Sequence, residues 1–241
     1  MKKLINNILK STGYQIKPER FLDRDMKRRI KTMQHLNIDL VLDVGANKGN
    51  YIKFMRDFGY TGRAISFEPL VNVFEILKQK TSKDSKWDAY DYALGNDNTS
   101  SIINIAGNMD SSSILNMLDV QVENAPETKY IGQQPITIKK LDSVFDTLCS
   151  PKDNVMLKID TQGYEESVLR GAEKSLKKIK MIQLEMSIIP LYENEMLYMD
   201  MINFLDKQNF CLYGFENGFS NRETGRQFQV DGLFVNKDFA S

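Results

Sequence analysis

The chain contains two short apolar runs, each followed by a glycine-containing turn and then by a helical pattern. The runs cover residues 40–44 and 155–159, and apolar residues at helical spacing follow over 51–58 and 165–174. A continuous apolar run of this length is typical of a strand that is buried on both faces of a parallel sheet. The pattern therefore predicts two strand-turn-helix units, which in α/β folds border a crevice for a nucleotide-like ligand.

Strand and helix patterns alternate through the rest of the chain. Further strands are predicted at 63–68, 86–94, 101–106, 136–138, 181–186, 210–215 and 229–235. Further helices are predicted to begin at 71 and to cover 141–148 and 195–207. The helix at 141–148 is predicted to be capped near Asp142 or Ser143. A short non-helical segment separates the last two strands, which predicts an antiparallel pair. The whole pattern predicts a mainly parallel α/β sheet that ends in an antiparallel hairpin.

Three segments fall outside this alternation. Residues 1–36 are predicted to form a helical N-terminal extension, which precedes the main domain at 37–241. Residues 107–113 are small and polar, and we expect them to border the substrate or the surface. Residues 117–134 have weak periodicity and a proline in the middle, so we expect a mobile or lid-like insertion there.

The charge and the composition narrow the function classes. Lys plus Arg and Asp plus Glu balance at 32 each among 241 residues, so no net basic field favours nucleic acid. Cys149 and Cys211 are too few for a disulfide framework or a four-ligand zinc site, and we expect a reducing, cytoplasmic environment. His35, the only histidine, has no second metal ligand nearby and is interpreted as structural or exposed. No run approaches the roughly 18 apolar residues that a membrane span requires.

The N-terminal extension allows two interpretations in each of its parts. Residues 1–10 have the spacing of a short amphipathic helix, which packs on the protein or else contacts a membrane surface or a partner. Residues 18–36 are rich in Arg and Lys with apolar residues between them. We interpret these charges as a solvated helix face, and an anionic substrate such as a sugar phosphate is the alternative.

The turn after the first apolar run has the pattern D-x-G-x-x-x-G. Gly45 and Gly49 let the chain turn sharply and let a ligand approach main-chain N–H groups at a helix start. The spacing differs from the dinucleotide motif, because residue 47 is Asn, and from the phosphate-binding loop, because Lys48 precedes Gly49. The residues expected to bind the cofactor here are Asp43, Gly45, Ala46, Asn47 and Gly49.

Acidic residues also end the other predicted parallel strands. Glu68 ends the second strand, where nucleotide-binding folds place a carboxylate against ribose hydroxyls, and an exposed strand end is the alternative. Asp160 ends the run at 155–159, beside the crevice, and Glu185 ends a later strand. Lys158 lies inside its strand and is expected to pair with a carboxylate, because an unpaired buried lysine is costly. Candidates for the adenine end of the pocket are Asp91, Tyr92 and Ala93.

Taken together, these motifs resemble those of the FkbM-type S-adenosylmethionine-dependent methyltransferases. The similar segments, within residues 38–236, read VLDVGANKG, SFEP, KIDTQGYE, VLRGA, IQLE and DGLFV. The resemblance implies a Rossmann-like, doubly wound, mainly parallel seven-stranded sheet with an antiparallel C-terminal strand and helices on both faces. It also implies S-adenosyl-L-methionine as cofactor and methyl transfer to a hydroxyl of a small molecule, sugar or glycan.

The resemblance further implies roles for single residues. Asp43, Gly45, Asn47 and Gly49 would surround the methionine and adenosine parts of the cofactor and Glu68 its ribose, while Lys158, Asp160 and Glu185 would face the reacting end. Asp160 is the first candidate for general base and Glu185 the second, and Lys158 would pair with an acid or hold the acceptor. Many family members have Glu where this chain has Gln162, so we assign Gln162 no role in proton transfer.

Other functions and ligands stay open at this point. A non-catalytic nucleotide-binding or assembly protein is the main alternative, and the glycine spacing disfavours a nicotinamide oxidoreductase. We predict no metal site, although Asp160 and Glu185 are oxygen ligands of the kind that Mg²⁺ takes. We expect residues 107–134 and 216–227 to select the acceptor.

Overall fold

A computed structural model of the chain describes residues 24–221 and 223–240. The helices are α1 (Arg24–His35), α2 (Asn50–Asp57), α3 (Val71–Thr81), α4 (Asp119–Asn124), α5 (Leu141–Leu148), α6 (Glu165–Arg170) and α7 (Tyr198–Lys207). The strands are β1 (Leu40–Val44), β2 (Arg63–Phe67), β3 (Trp87–Tyr90), β4 (Ala93–Leu94), β5 (Thr99–Ala106), β6 (Tyr130–Lys139), β7 (Val155–Ile159), β8 (Ile179–Ser187), β9 (Phe210–Asn217) and β10 (Gln229–Asn236). Single 3₁₀ turns occur at Pro126–Thr128, Ser175–Lys178 and Lys237–Phe239.

The main sheet has seven strands in the order β3-β2-β1-β7-β8-β10-β9. The pairs from β3 through β8 are parallel, and β10 runs antiparallel to both β8 and β9. The chain proceeds outward from β1 in one direction and from β7 in the other, so the strand order reverses between these two strands. Ligands of doubly wound sheets bind at the carboxyl ends of strands beside such a reversal.

Helices cover both faces of this sheet, as the sequence predicts. On one face, α5, α6 and α7 pack on the strands through Phe145, Leu169 and Leu205. On the other face, α1, α2 and α3 contribute apolar side chains that include Met33, Met55 and Leu77. β1 and β7 are buried along their whole length because helices lie above and below them. The predicted fold class is therefore confirmed.

A second, smaller sheet was not predicted. The pattern over 86–94 predicts one strand, but β3 ends at Tyr90 and the chain leaves the main sheet before β4. β4, β6 and β5 form a separate three-stranded sheet in which β5 and β6 are antiparallel. β6 begins at Tyr130, so part of the predicted insertion at 117–134 is a regular strand and another part is helix α4. β5 pairs with β6 over residues 99–106, and this pairing supplies backbone hydrogen-bond partners that the local periodicity of the sequence does not show.

One predicted helix cap and one predicted helix boundary also differ. α5 begins after Lys140 without a side-chain cap, and Asp142 instead accepts hydrogen bonds from the backbone N–H groups of Lys174 and Ser175. The helix predicted to start at 195 starts at Tyr198, because the carboxylate of Glu195 accepts N–H groups of the preceding turn, including that of Tyr192 at 2.9 Å. Asp142 thus bonds to residues distant in the sequence, whereas Glu195 bonds to the turn just before it.

The described part of the N-terminal extension packs on the main domain. Met26, Ile30 and Met33 of α1 lie in the core on the α2 face of the sheet. Arg29 is buried and forms an ion pair with Glu216 on β9, so the interpretation of all the basic residues as a solvated face is wrong for this residue. The amphipathic segment predicted at 1–10 lies outside the described residues. Within 24–221 and 223–240, no helix combines the length and apolar character needed to cross a membrane.

Candidate active site

The turn between β1 and α2 places left-handed backbone at three residues. The φ angles are 74° at Gly45, 47° at Asn47 and 72° at Gly49. Glycine and asparagine tolerate this region better than other residues, which explains the composition of the motif. The turn is held on one side by N–H groups of Gly45 and Ala46, which both donate to the carbonyl of Phe67 at the end of β2.

Both glycines of this turn make room for the protein's own chain. A Cβ on Gly45 would lie 1.8 Å from the backbone oxygen of Asp160, and one on Gly49 would lie 2.7 Å from side-chain atoms of Leu77 and Trp87. The close approach to Asp160 brings the ends of β1 and β7 together. The glycines therefore meet a packing requirement that shapes the crevice, and Gly45 also lines the cleft described below.

Glu68 connects the turn after β2 to the turn after β1. Its Oε1 accepts the N–H of Leu70 at 2.8 Å, and its Oε2 accepts the N–H of Asn47 at 2.9 Å. The residue is buried, and burial raises the pKa of its carboxyl to about 7 although both N–H groups lower it. Glu68 therefore fixes the geometry of both turns while its carboxyl lines the cleft.

Lys158 lies under the turn with a carboxylate on either side. Its Nζ is 3.2 Å from Asp43 Oδ1 and 3.6 Å from Asp160 Oδ2, and it donates to the carbonyl of Gly45 at 3.3 Å. Burial by itself lowers the pKa of the ammonium, but Asp43 and Asp160 outweigh burial and the pKa lies above its ordinary value. The pairing predicted for a lysine inside a strand is thus present, and it holds Lys158 in its charged form.

Asp160 and Glu185 are joined by the side chain of Gln162. The Gln162 amide donates to Asp160 Oδ1 at 2.8 Å and to Glu185 Oε2 at 3.0 Å. The Asp160 side chain is 41% exposed, so its carboxylate is accessible from the cleft. Burial raises the pKa of Glu185 well above its ordinary value, and the charges of Asp160 and Asp231 raise it further.

A cleft of about 200 Å³ opens at the carboxyl ends of β1, β2 and β7. One wall comes from these strand ends and their turns, and the other comes from the small sheet and the polar loop at 107–113, which borders the cleft as expected. The lining residues are Val44, Gly45, Asn47, Phe67, Glu68, Pro69, Leu70, Ala93, Leu94, Ile103, Met109, Asp110, Ser112, Ser113, Ile114, Asp160, Thr161, Gln162 and Tyr164.

The predicted site residues take three different positions relative to this cleft. Gly45, Asn47, Glu68, Ala93 and Asp160 line it. A second group lies beneath or behind the wall and supports it: Asp43, Ala46 and Gly49 around the turn, with Lys158 and Glu185 on the strands. The structure places Asp91 and Tyr92 elsewhere, since Asp91 is exposed beside a separate groove and the Tyr92 ring packs on Phe67.

Several contacts at the cleft involve residues that sequence reasoning did not select. Tyr192 is fully buried and its hydroxyl donates to Gln162 Oε1 at 2.8 Å. Ser113 Oγ donates to the backbone carbonyl of Gln162 at 2.6 Å. Tyr192 comes from a segment without a clear pattern, so no local signal identifies it. The Gln162–Gly163 pair, which follows an acid at a strand end, is the signal that could have indicated a strained turn.

The residues at the cleft fit the cofactor that the motifs predict. Each Glu68 oxygen accepts one N–H group and keeps a free acceptor position, which suits a ribose diol. Val44, Phe67, Leu94 and Ile103 provide apolar surface for a flat base. In the part of the chain that the structure describes, no three His, Cys, Asp or Glu side chains group as ligands of a metal ion.

Comparisons with solved structures show methyltransferases, all at low identity. The methyltransferase domain of bacterial CtHen1 has 10% identity and a TM-score of 0.48, covering 88% of this chain and 97% of that chain. Magnesium protoporphyrin IX methyltransferase (ChlM) from Synechocystis PCC 6803, with bound SAM, has 11% identity and a TM-score of 0.46, covering 98% and 96%. TrmK from M. capricolum, in complex with S-adenosyl-homocysteine, has 8% identity and a TM-score of 0.45, covering 86% and 67%.

The family comparison is more informative. No curated protein matches the chain in sequence. A family model described as the methyltransferase FkbM domain matches residues 43–215, which begin at Asp43 of the first turn and include Glu68, Asp160 and Glu185. The match covers more than half of the chain, so the protein belongs to the FkbM family of methyltransferases and uses S-adenosyl-L-methionine.

Proposed function

We propose that this methyltransferase transfers a methyl group to a hydroxyl of a small molecule, sugar or glycan. The observation that carries the proposal is the position of Asp160, whose partly exposed carboxylate lies on the cleft wall at the carboxyl end of β7. A carboxylate in this position is suited to accept the proton of a bound hydroxyl. Asp160 is therefore proposed as the general base.

The chemistry requires little beyond alignment and proton removal. Bound S-adenosyl-L-methionine supplies an already activated methyl group. The protein then has to hold the acceptor oxygen in line and take its proton at Asp160 Oδ1 or Oδ2. Lys158, whose Nζ lies 3.6 Å from Asp160 Oδ2, holds that carboxylate in position. Glu185 is the second candidate base, but the raised pKa of its carboxyl favours a neutral, hydrogen-bonding role.

The surroundings of Asp160 favour an uncharged, hydroxyl-bearing acceptor. Gln162 joins Glu185 to Asp160, and Asp231 lies opposite Glu185 in the register of β10 and β8. A phosphate group beside the Asp160 carboxylate would be repelled, whereas a sugar hydroxyl donates a hydrogen bond to it. This charge pattern supports the proposal that the acceptor is not a nucleic acid.

We also propose a cytoplasmic location. Cys149 and Cys211 are both free thiols, and Cys149 is buried in the core. Free cysteines without a disulfide partner are usual in a reducing compartment.

Mass spectrometry of acceptor panels tests the function. Purified protein with S-adenosyl-L-methionine is offered sugars, glycans, other small alcohols, amines and RNA, and each product is examined for the mass of one added methyl group. We expect methylation among the hydroxyl acceptors, located on oxygen by fragmentation. Methylation of an amine or of RNA alone would contradict the proposal, and tight cofactor binding without any methylation would favour the non-catalytic alternative.

A further inference from the structure

The side chain of Gln162 occupies the space between the two candidate bases. Its Nε2 donates both of its hydrogens, one to Asp160 at 2.8 Å and one to Glu185 at 3.0 Å. Its Oε1 accepts the hydroxyl of Tyr192 at 2.8 Å. Both N–H donors of the amide and one of the two acceptor positions of its oxygen are therefore used.

The carboxyl groups of Asp160 and Glu185 set which way the amide faces, and Tyr192 fits that orientation. Its ring is fully buried and packs against the backbone of Gly163, where an added Cβ would lie 2.9 Å from the tyrosine side chain. The Tyr192 hydroxyl can donate or accept, and with the NH₂ group of Gln162 directed at the carboxyl groups it donates to the amide oxygen. A rotated amide would place its oxygen against two carboxyl groups and lose the bonds to Asp160 and Glu185.

The backbone at Gln162 adopts an energetically unfavourable conformation. Gln162 has a φ angle of 56° and Gly163 one of 93°, so a residue with a long side chain adopts the left-handed region. The hydroxyl of Ser113, from the loop on the other wall of the cleft, donates to the Gln162 carbonyl at 2.6 Å. Unfavourable backbone of this kind persists where surrounding contacts over-determine it, and it is frequent at functional sites.

We propose that Gln162 is the positioning residue of this active site, which orients Asp160 toward the acceptor and joins it to Glu185 through one fixed amide. The role is indirect, because Gln162 acts through the carboxylate of Asp160. The inference rests on the proposed function for the identity of the base. It goes beyond the sequence interpretation, which only gave Gln162 no role in proton transfer.

Chemistry explains why an amide suits this position better than a carboxylate. A glutamate at 162 would carry no N–H group at neutral pH and would place a further negative charge between Asp160 and Glu185. Only its protonated form could donate, and it would then donate a single hydrogen bond to one of the two carboxyl groups. The amide joins both groups without changing the charge of the site.

The test compares Gln162→Asn with Gln229→Asn. Asn tolerates left-handed backbone, so the first variant is expected to fold, but its shorter side chain cannot reach both carboxyl groups. Gln229 is a matched control, because its Nε2 donates to the same Glu185 oxygen at 2.8 Å, and its contact in this site is with Glu185 rather than Asp160. Gln162→Glu is the second test variant. Thermal unfolding checks that each protein is folded.

Two readouts separate the inference from the proposed function. With whichever acceptor the panels identify, we expect kcat to fall about 10-fold to 100-fold in Gln162→Asn and Gln162→Glu, with the cofactor Kd within about 3-fold of wild type. Gln229→Asn should keep kcat within about 3-fold. An acceptor that is methylated on nitrogen would contradict the proposed function and still allow this comparison.

The second readout needs no acceptor. In carboxyl-carbon NMR of isotopically labelled Asp and Glu, we expect the Asp160 and Glu185 signals to move in Gln162→Asn and only the Glu185 signal to move in Gln229→Asn. Equal behaviour of the two Asn variants, either in kcat or in the Asp160 signal, would overturn the inference.

Discussion

Lys158 and Asp43 face each other from neighbouring strands and form an ion pair of 3.2 Å that is almost fully removed from solvent. Their register pairs the only charged positions of β1 and β7, and Ser66 on β2 continues the row by donating to Asp43 Oδ2 at 3.1 Å. The pair lies directly beneath the first turn, where Lys158 also contacts the Gly45 carbonyl. It therefore supports the turn and the position of Asp160 from below.

Removing one member of this pair should destabilise the fold. We expect Lys158→Met to lower the free energy of unfolding by about 3–5 kcal/mol, because the Asp43 charge is left buried without its partner. The double variant Asp43→Asn with Lys158→Met should lose less, since no buried charge remains. Urea unfolding measures both. Lys53→Met, which breaks an exposed pair with Asp57, is the control and should cost less than about 1 kcal/mol. Equal losses in the single and double variants would show that the pair is not the stabilising element.

Replacement of the proposed base should affect turnover rather than cofactor binding. We expect Asp160→Asn to lower kcat by about 10²-fold to 10⁴-fold, because Asn cannot accept the acceptor's proton. Calorimetry should show a cofactor Kd within about 3-fold of wild type. Asp97→Asn, at an exposed acid outside the cleft, serves as the control. A variant at 160 that retains full kcat would remove Asp160 from the mechanism.

Cofactor affinity should depend on pH through Glu68. Its carboxyl pKa of about 7 means that it is largely protonated below pH 7 and ionised above it. The ionised form accepts hydroxyl hydrogen bonds better and attracts the sulfonium, so we expect Kd for S-adenosyl-L-methionine to rise as the pH falls from about 8 to about 6, by up to about 10-fold per unit. Calorimetry at several pH values measures this. In Glu68→Gln the affinity should be weaker and nearly independent of pH, and an unchanged pH profile would contradict the assignment.

Stability should depend on pH through Glu165, at the first turn of α6. Burial raises the pKa of its carboxyl from 4.5 to about 7, while the N–H of Thr161, at 2.7 Å, lowers it. The folded state then holds a proton that the unfolded state has lost, so stability falls as the pH rises from about 4.5 to about 7, by about 3 kcal/mol in total. Denaturant unfolding at pH 5 and at pH 8 should show a smaller difference in Glu165→Gln. The neighbouring Glu166→Gln should keep the wild-type difference.

A chelator should leave activity unchanged. The carboxyl groups of Asp160 and Glu185 already bind the two hydrogens of the Gln162 amide, and the Lys158 ammonium lies 3.6 Å from Asp160. A divalent cation would have to displace these donors and approach an ammonium. Activity measured with excess EDTA, and again after Mg²⁺ is restored, checks this. Loss and recovery would show that Asp160 and Glu185 act as metal ligands.

The sequence determined the local units of this protein. The hydrophobic pattern of residues 40–44 and 155–159 alone predicts central parallel strands, because a strand covered by helices on both faces of the sheet is apolar along most of its length. Gly45 and Gly49 predict a sharp turn, and their φ angles of 74° and 72° confirm it, while the left-handed conformation of Asn47, with a φ angle of 47°, is seen only in the structure. These features are local, because each depends on the residue type and its immediate neighbours.

The tertiary structure decided how these units combine into a site. Nothing near Glu68 in sequence shows that it bonds to Asn47, and nothing near Gln162 shows that Tyr192 bonds to its amide. Tyr92 packs in an aromatic cluster and Arg29 forms an ion pair with Glu216. Both contacts likewise depend on the strand order. Such contacts join residues that are 21 to 187 positions apart. Hydrogen-bond direction and burial are set by distant chain segments, so only the folded chain selects which acids of the sequence face the cleft.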